Sequence, residues 1–159
     1  MFDGNNSKIK KNPIGFEFIK RGLLTKEQVD KVLDYQQEHK EFKFAEIVDV
    51  LEMCNKSDIL DTLSYCIGIK GVILEEKIDI NPVKYIPRDM IINYKVIPFE
   101  ETKDKLKVAF SDPLDEKNVV KIRNILKKQG YEMEVYVTLY TSIMEQISKM
   151  KFIKTDYID

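Results

Sequence analysis

Cysteine and histidine are scarce in this chain, and their scarcity excludes two kinds of site. Of 159 residues, two are cysteine and one is histidine. A disulfide scaffold needs more cysteines, and a zinc site needs paired ligands at short spacing. Cys54 and Cys66 both fall inside apolar helical patterns, where a free thiol behaves as a small hydrophobic side chain. We therefore expect two buried thiols and no bound metal.

Long apolar stretches are also missing. No run reaches the roughly 18–20 apolar residues that cross a bilayer, and residues 1–8 have no apolar stretch of the kind that a secretory signal requires. We therefore expect a cytoplasmic chain that does not span a membrane. A hydrophobic share of 43% is enough for a buried core. The length suits one domain or two small subdomains.

Motifs for catalysis are absent as well. The chain has neither the phosphate loop G-x-x-x-x-G-K-[ST] nor G-x-G-x-x-G. The only histidine, His39, ends a helical pattern among charged residues, whereas a catalytic imidazole needs an orienting partner and a metal ligand needs companions. Ser64 and Ser111 have no nearby histidine to activate them. We predict that the chain is not an enzyme.

The charge is nearly balanced, with a formal net charge of −1. Nucleic-acid binding needs a concentrated basic surface, so we expect no nucleic-acid partner. Residues 1–24 are nevertheless basic, and residues 25–66 are acidic. This distribution has two interpretations: a solvated tail beside an acidic helical face, or a small anion site where the basic arm meets helix ends.

An internal repeat with a period of 30 residues organises the first half of the chain. Each unit reads as a short helix, a tight break and a longer helix. Because neither helix pair can bury its apolar face alone, we expect the two units to pack on each other. The aligned positions are Ile14-Gly15 with Phe44-Ala45, Phe18 with Val48, Leu23-Leu24 with Met53-Cys54, Thr25 with Asn55, Leu33 with Leu63, and Gln36 with Cys66.

Helix signals support this interpretation. Asn12 can cap the first short helix, Pro13 suits its first position, and Gly22 can end it in a left-handed conformation. Thr25 followed by Gln28 predicts a capping box at the start of the longer helix. One face of the first longer helix carries Val29, Val32, Leu33 and Gln36 at helical spacing. After the cap Asn55, the buried stripe of the second carries Ile59, Leu60, Leu63 and Ile67.

The pattern changes after Gly68 to strands and helices. We predict strands at 96–100 and 106–110 joined as a hairpin, a helix capped by Asp115 and stopped by Gly130, a third strand Glu132–Val137, and a helix at 142–150. Pro98 predicts that its strand lies at a sheet edge, or that the proline lies near the beginning of the strand. The predicted fold is α+β: a helical subdomain of two repeated helix hairpins, then a β-β-α-β-α subdomain. The predicted segments are a flexible basic arm at 1–12, the repeat at 13–67, a connector with short helices at 68–94, the α/β subdomain at 95–150, and a tail at 151–159.

Residues 14–36 read IGFEFIKRGLLTKEQVDKVLDYQ. This segment resembles the signature L-G-x-x-L-V-x-x-G-L-L-T-x-x-Q-L-x-x-A-L-x-x-Q, which marks the N-terminal regulatory domain of type II secretion and type IV pilus assembly ATPases. The resemblance continues through 78–82, 86–87, 94–98 and 108–115, and spans 13–150 in all. The ATPase core of that family has no counterpart here. The resemblance therefore implies a bacterial regulatory domain, as a fragment or a stand-alone version.

In that family some members dock the ATPase onto an inner-membrane partner, and others bind cyclic di-GMP. The resemblance thus implies contact with an inner-membrane component of a secretion or pilus machine, or with the ATPase core itself. A partner of that kind would hold this cytoplasmic chain at the inner membrane. No cofactor is implied beyond cyclic di-GMP as a ligand.

The nucleotide-binding members carry two copies of the motif R-L-G-x-x-[LIV]-[LIV]-x-x-G-x-[LI]-x-x-x-x-L-x-x-x-L-x-x-Q. The first copy here has Pro13 in place of the arginine. The second has Lys43 for the arginine, Ala45 and Glu52 for the glycines, and Cys66 for the glutamine. The candidate nucleotide-binding residues that the resemblance implies are Ile14, Gly15, Gly22, Leu23, Leu24, Gln36 and Asp112.

Two functions remain open at this point. One is a regulatory and protein-docking module without a bound nucleotide, and the other is a cyclic di-GMP receptor. A plainer interpretation also stands, in which Gly15, Gly22 and Leu23-Leu24 serve helix packing alone.

Overall fold

The computed structural model describes residues 13–77 and 79–158, of which Lys77 and residues 151–158 are described by their backbone alone. The chain divides into two units, Met1–Gly68 and Ile69–Asp159. The predicted basic arm at 1–12 and the predicted cap Asn12 lie outside the described residues.

Four helices form the described part of the first unit: α1 (Pro13–Lys20), α2 (Lys26–Glu38), α3 (Phe44–Val50) and α4 (Lys56–Ile67). The predicted caps of the two longer helices are confirmed. Thr25 and Gln28 form a capping box at the start of α2, and the Asn55 side chain accepts a hydrogen bond from the Asp58 N–H at the start of α4.

The two repeats pack on each other reciprocally. Short helix α1 lies against long helix α4 of the other repeat, and short helix α3 lies against α2. The rings of Phe18 and Phe44 meet between the repeats, with centroids 5.9 Å apart. Both rings are buried, so that each repeat supplies apolar surface which the other covers. The buried apolar residues of the unit are Phe18, Leu24, Val29, Val32, Phe44, Ala45, Ile47, Val48, Ile59 and Leu60.

The second unit contains a small sheet and its helices. Its elements in order are α5 (Leu74–Lys77), a 3₁₀ helix (Asn81–Tyr85), α6 (Arg88–Tyr94), β1 (Val96–Glu101), β2 (Lys105–Phe110), α7 (Glu116–Lys128), β3 (Glu132–Val137) and α8 (Tyr140–Ile158). The predicted α+β class is confirmed. The two hairpin strands each exceed the predicted range by one residue, and α8 begins at Tyr140 and continues to Ile158.

The three strands lie in the order β1-β2-β3. The hairpin pair β1 and β2 is antiparallel, whereas β2 and β3 are parallel and are joined through α7. Pro98 lies on the outer strand, next to a bulge between Pro98 and Glu100, as the missing N–H of proline requires. Asp115 caps α7, and Gly130 adopts a left-handed conformation after that helix (φ +90°).

The core of the second unit lies between the sheet and the helices. Ile97, Val108 and Phe110 of the sheet are buried together with Ile122 of α7 and Ile143 of α8. Val108 and Phe110 project from one face of the sheet, and Ile97, paired with Ala109, projects from the other, so that side chains are buried on both faces. The remaining buried members of this core are Val72, Leu74, Ile86, Ile91, Val96, Phe99, Leu106, Ala109, Val119, Leu126, Met133 and Ile147.

Candidate functional site

Gly22 and the two leucines after it form the turn between α1 and α2. Gly22 has φ +73°, and a Cβ on it would meet no atom within 4 Å. The N–H groups of Leu23 and Leu24 both donate to the Phe18 carbonyl, at 2.9 and 3.3 Å. Leu24 is buried and Leu23 is half-buried. The turn therefore favours glycine for its backbone angle rather than for lack of space.

The second repeat makes the same turn with a glutamate. Glu52 stands where the first repeat has Gly22 and has φ +54°. The Met53 N–H donates to the Val48 carbonyl at 3.0 Å, the equivalent of the Leu23 bond 30 residues earlier. A side chain in this region of backbone space costs about 1–2 kcal/mol. The second turn thus keeps the geometry of the repeat at a local cost in stability.

Gly15 lies at a close contact between the repeats. It is buried in α1, and a Cβ on it would lie 3.2 Å from Cγ1 of Val29 and 3.3 Å from Cζ of Phe44. Distances in this range are shorter than ordinary van der Waals contact, so a larger residue would push the repeats apart. Helix packing alone accounts for a glycine at this position.

Gln36 uses its side chain to hold the backbone between the repeats. Its Nε2 donates to the carbonyl of Phe42 at 3.2 Å, just before α3. Cys66, at the equivalent place in the second repeat, has its Sγ 4.0 Å from the carbonyl of Pro13 at the start of α1. The contact between a long helix and the start of the opposite short helix recurs, but a thiol is a weaker donor than an amide.

The candidate residues that the motif implies fall into two groups. Ile14 and Gly15 belong to α1, and Gly22, Leu23 and Leu24 to the turn after it. Gln36 lies in the last turn of α2. All six are therefore in the first unit. Asp112 belongs to the second unit, in the loop after β2.

A groove on the first unit was not anticipated from the sequence. It has a volume of about 540 Å³ and is lined by residues of α1 and α4: Pro13, Phe16, Glu17, Tyr65 and Cys66. Phe16 is 49% exposed and Tyr65 is 67% exposed. An aromatic residue at an outward helical position was the available signal in the sequence. Such a residue indicates a groove only when the helix that packs beside it is also known.

Arg21 lies beside Glu17 and Tyr65, two of the residues that line this groove. Its Nε donates to Oε2 of Glu17 at 2.8 Å, and its guanidinium carbon lies 5.1 Å from the centre of the Tyr65 ring. The hydrogen bond to Glu17 is the main cause that raises the pKa of Arg21. Burial raises the pKa of the Cys66 thiol, which makes it a poor nucleophile at neutral pH. The groove therefore offers aromatic rings and a guanidinium group of this chain for contact with a partner. Its thiol gives no support for covalent chemistry.

Among residues 13–77 and 79–158, no group of three or more histidine, cysteine, aspartate or glutamate side chains is placed to hold a metal ion. No helix in the described part of the chain has the length and apolar character needed to cross a membrane.

Residues 71–151 match the family model of the MshEN domain, and they make up half of the chain. A structure of MshE with cdg (cyclic di-GMP) is similar in fold, with a TM-score of 0.62 at 18% sequence identity. That match covers 86% of this chain and 96% of the other. A structure of the N-terminal domain of XpsE matches with a TM-score of 0.58 at 16% identity, covering 87% and 93% of the two chains. None of the curated proteins matches the sequence.

Proposed function

The chain belongs to the MshEN domain family, and from that membership we propose that it is a non-catalytic regulatory and protein-docking domain of a type II secretion or type IV pilus assembly ATPase system. Its partner would be an inner-membrane component of the machine, or the ATPase core itself. The chain would act in the cytoplasm, next to the inner membrane where the partner holds it.

The observation that best supports a docking role is the groove between α1 and α4. Phe16 and Tyr65 leave large aromatic areas in water, and Arg21 lies over the Tyr65 ring. Aromatic residues and arginine are enriched among the residues that dominate binding energy at protein interfaces. The aromatic side chains bury much area with little loss of side-chain freedom. The ion pair with Glu17 already orients Arg21. An oriented side chain loses less conformational entropy when a partner binds.

The non-catalytic part of the proposal rests on the sequence. The 159 residues contain no phosphate loop, whose backbone amides and lysine cradle the phosphates of ATP in P-loop ATPases. We expect the purified chain to hydrolyse ATP no faster than background. Turnover that co-purifies with the chain and disappears when the chain is mutated would contradict this.

Binding to the cytoplasmic region of the machine's inner-membrane component tests the docking role. The double variant Phe16→Ala, Tyr65→Ala should weaken that binding about tenfold to a hundredfold, because it removes two exposed aromatic contacts. Leu114→Ala is the matched control, since Leu114 is 61% exposed but lies in the second unit. Equal affinities of the wild type and the double variant would reject the groove as the docking surface.

Cyclic di-GMP binding is the second candidate function. Its support is the likeness in fold to the structure of MshE with cdg, together with Gly15, Gly22 and Gln36 in the first repeat. Two residues weaken this candidate. Pro13 cannot supply the charge-assisted hydrogen bond of an arginine, and the carboxylate of Glu52 would repel a dianionic ligand.

Calorimetric titration with cyclic di-GMP separates the two candidates. We expect no binding, or an affinity well below that of a chain with both motifs intact. If the first repeat does bind, Pro13→Arg should tighten binding about tenfold to a hundredfold, and Gln36→Ala should weaken it. Tight binding by the wild type that survives Gln36→Ala would show that these residues do not form the site.

A further inference from the structure

The outer edge of β3 has backbone groups that point away from the sheet. The Glu132 N–H donates to the Asp104 carbonyl at 2.9 Å, and the Thr138 N–H donates to the Phe110 carbonyl at 3.0 Å. The backbone N–H and C=O groups of the even-numbered residues of β3 thus point towards β2. Because backbone groups alternate along a strand, those of Met133, Val135 and Val137 face outwards.

The chain itself occupies one end of this edge. The Val137 N–H donates to the Lys70 carbonyl at 2.8 Å, and the Val72 N–H donates to the Val137 carbonyl at 3.0 Å, a parallel bridge between Gly71 and Val137. A short extended segment is therefore already paired with the edge. In the described part of the chain, the outward backbone groups of Met133 and Val135 have no such partner.

The charge on β3 indicates which segment could continue this pairing. The strand carries Glu132 and Glu134 and no basic residue. On its inner side the register places Lys105 beside Glu132 and Lys107 beside Glu134. A second copy of β3 would instead bring glutamates close to glutamates, which is destabilising. The edge therefore favours a basic strand and disfavours another copy of itself.

A groove of about 230 Å³ lies on the side of the sheet where the Tyr136 side chain projects. Ile73, Phe99 and Tyr136 give it apolar walls, and Glu76 adds a carboxylate. Glu100 and Lys107 also line it as an ion pair, with 2.7 Å between Oε2 and Nζ. The long side chain of lysine or arginine suits such a groove, because its methylene stem packs on apolar surface while its charge meets a carboxylate.

We propose that the edge of β3 at Met133 and Val135 binds, by β-strand addition, an extended segment of another protein in which basic and apolar residues alternate. The main-chain bonds would supply affinity. Glu132, Glu134 and the neighbouring groove would select the basic side chains. This surface lies in the second unit, so its test is independent of the helical groove and of cyclic di-GMP.

Amide hydrogen exchange followed by NMR on the full chain tests the proposal. In the free chain, the amides of Met133 and Val135 should exchange at least about tenfold faster than those of Glu134 and Tyr136, which face β2. Equal protection of all four amides would mean that the edge is already covered, and would overturn the proposal.

The probe is a synthetic peptide of sequence KLKVAF, copied from Lys105–Phe110, the strand that already pairs with β3. At millimolar concentration it should shift and protect the amides of Met133 and Val135. The matched control peptide ELEVAF should do so several-fold less. The variant Glu132→Lys should reduce the preference for KLKVAF, with the β2-facing amides still protected as evidence of folding.

Three results would contradict the proposal. They are an absence of change at Met133 and Val135 with KLKVAF, equal binding of the two peptides, and a concentration-dependent dimer that protects the same amides. The last would identify a second copy of this chain as the occupant.

Discussion

Glu52 is one of two non-glycine residues in the described part of the chain with a left-handed backbone, and Lys95 is the other. Glu52 has φ +54° at a turn where the first repeat has glycine, and the flanking hydrogen bonds match between the two turns. The packing of the helices therefore imposes the angle, and the side chain accommodates it. Strain of this kind persists only where the surrounding structure fixes the conformation.

We predict that Glu52→Gly raises the free energy of unfolding by about 0.5–1 kcal/mol. Relief of the left-handed strain, about 1–2 kcal/mol, outweighs the extra freedom that glycine has in the unfolded chain. Urea unfolding measures the effect.

The controls for this prediction separate strain from charge. Glu52→Gln keeps the strain and removes the charge, so it should leave stability nearly unchanged. Gly22→Ala, in the equivalent turn, should lower stability by about 1 kcal/mol, because its Cβ meets no atom and only the backbone is strained. A Glu52→Gly variant no more stable than the wild type, beside a destabilised Gly22→Ala, would refute the assignment of strain to Glu52.

Residues of the candidate site differ in how far the sequence could predict them. The left-handed turn at Gly22 and the capping box at Thr25 follow from local chemistry, and both predictions are confirmed. The close contact of Gly15 with Phe44 joins residues of different repeats, so it depends on packing that a local pattern does not contain. The exposure of Phe16 and Tyr65 depends on the same packing.

At the scale of elements, a cluster of polar side chains joins the 3₁₀ helix, β1 and the start of β3. The Tyr131 hydroxyl donates to Oε2 of Glu101 at 2.5 Å and lies 3.0 Å from the Tyr85 hydroxyl. The Tyr85 hydroxyl lies 3.2 Å from the same carboxylate oxygen. The bond to Glu101 is the first cause that raises the pKa of Tyr131 above its usual value. The cluster thus stabilises the protonated form of Tyr131.

A pH-dependent contribution to stability follows from this raised pKa. A group whose pKa is higher in the folded state stabilises the fold below its unfolded pKa, about 10 for tyrosine, and the contribution is lost as the pH rises above that value. We predict that Tyr131→Phe is less stable than the wild type near neutral pH, and that the difference shrinks in alkaline solution. Urea unfolding of both proteins at about pH 8 and about pH 11 measures it. A difference that is the same at both pH values would contradict the assignment.

The order of elements in the second unit was predictable because each has its own local signals. Alternating residues indicated the three strands, and Asp115 and Gly130 marked the limits of α7. The parallel pairing of β2 with β3 and the free outer edge of β3 were not predictable. Both depend on where α7 carries the chain, which local periodicity does not determine.

At the scale of the whole molecule, the family match and the helical repeat cover different parts of the chain. The MshEN match covers residues 71–151, whereas the repeat occupies the first unit. The structural matches extend over 86% and 87% of the chain, so they include part of the repeat. The repeat is also where the sequence departs from the nucleotide-binding motif, at Pro13 and Glu52. This combination agrees with our proposal that the domain keeps the fold and acts by protein contact.

The affinity of the chain for the cytoplasmic region of the inner-membrane component, measured with and without saturating cyclic di-GMP, tests this account most directly. We predict that the chain binds the partner without nucleotide, and that cyclic di-GMP changes the affinity by less than about twofold, since a ligand shifts binding only through a differential affinity for the two states. Binding that appears only when cyclic di-GMP is present, or no binding under either condition, would contradict the account.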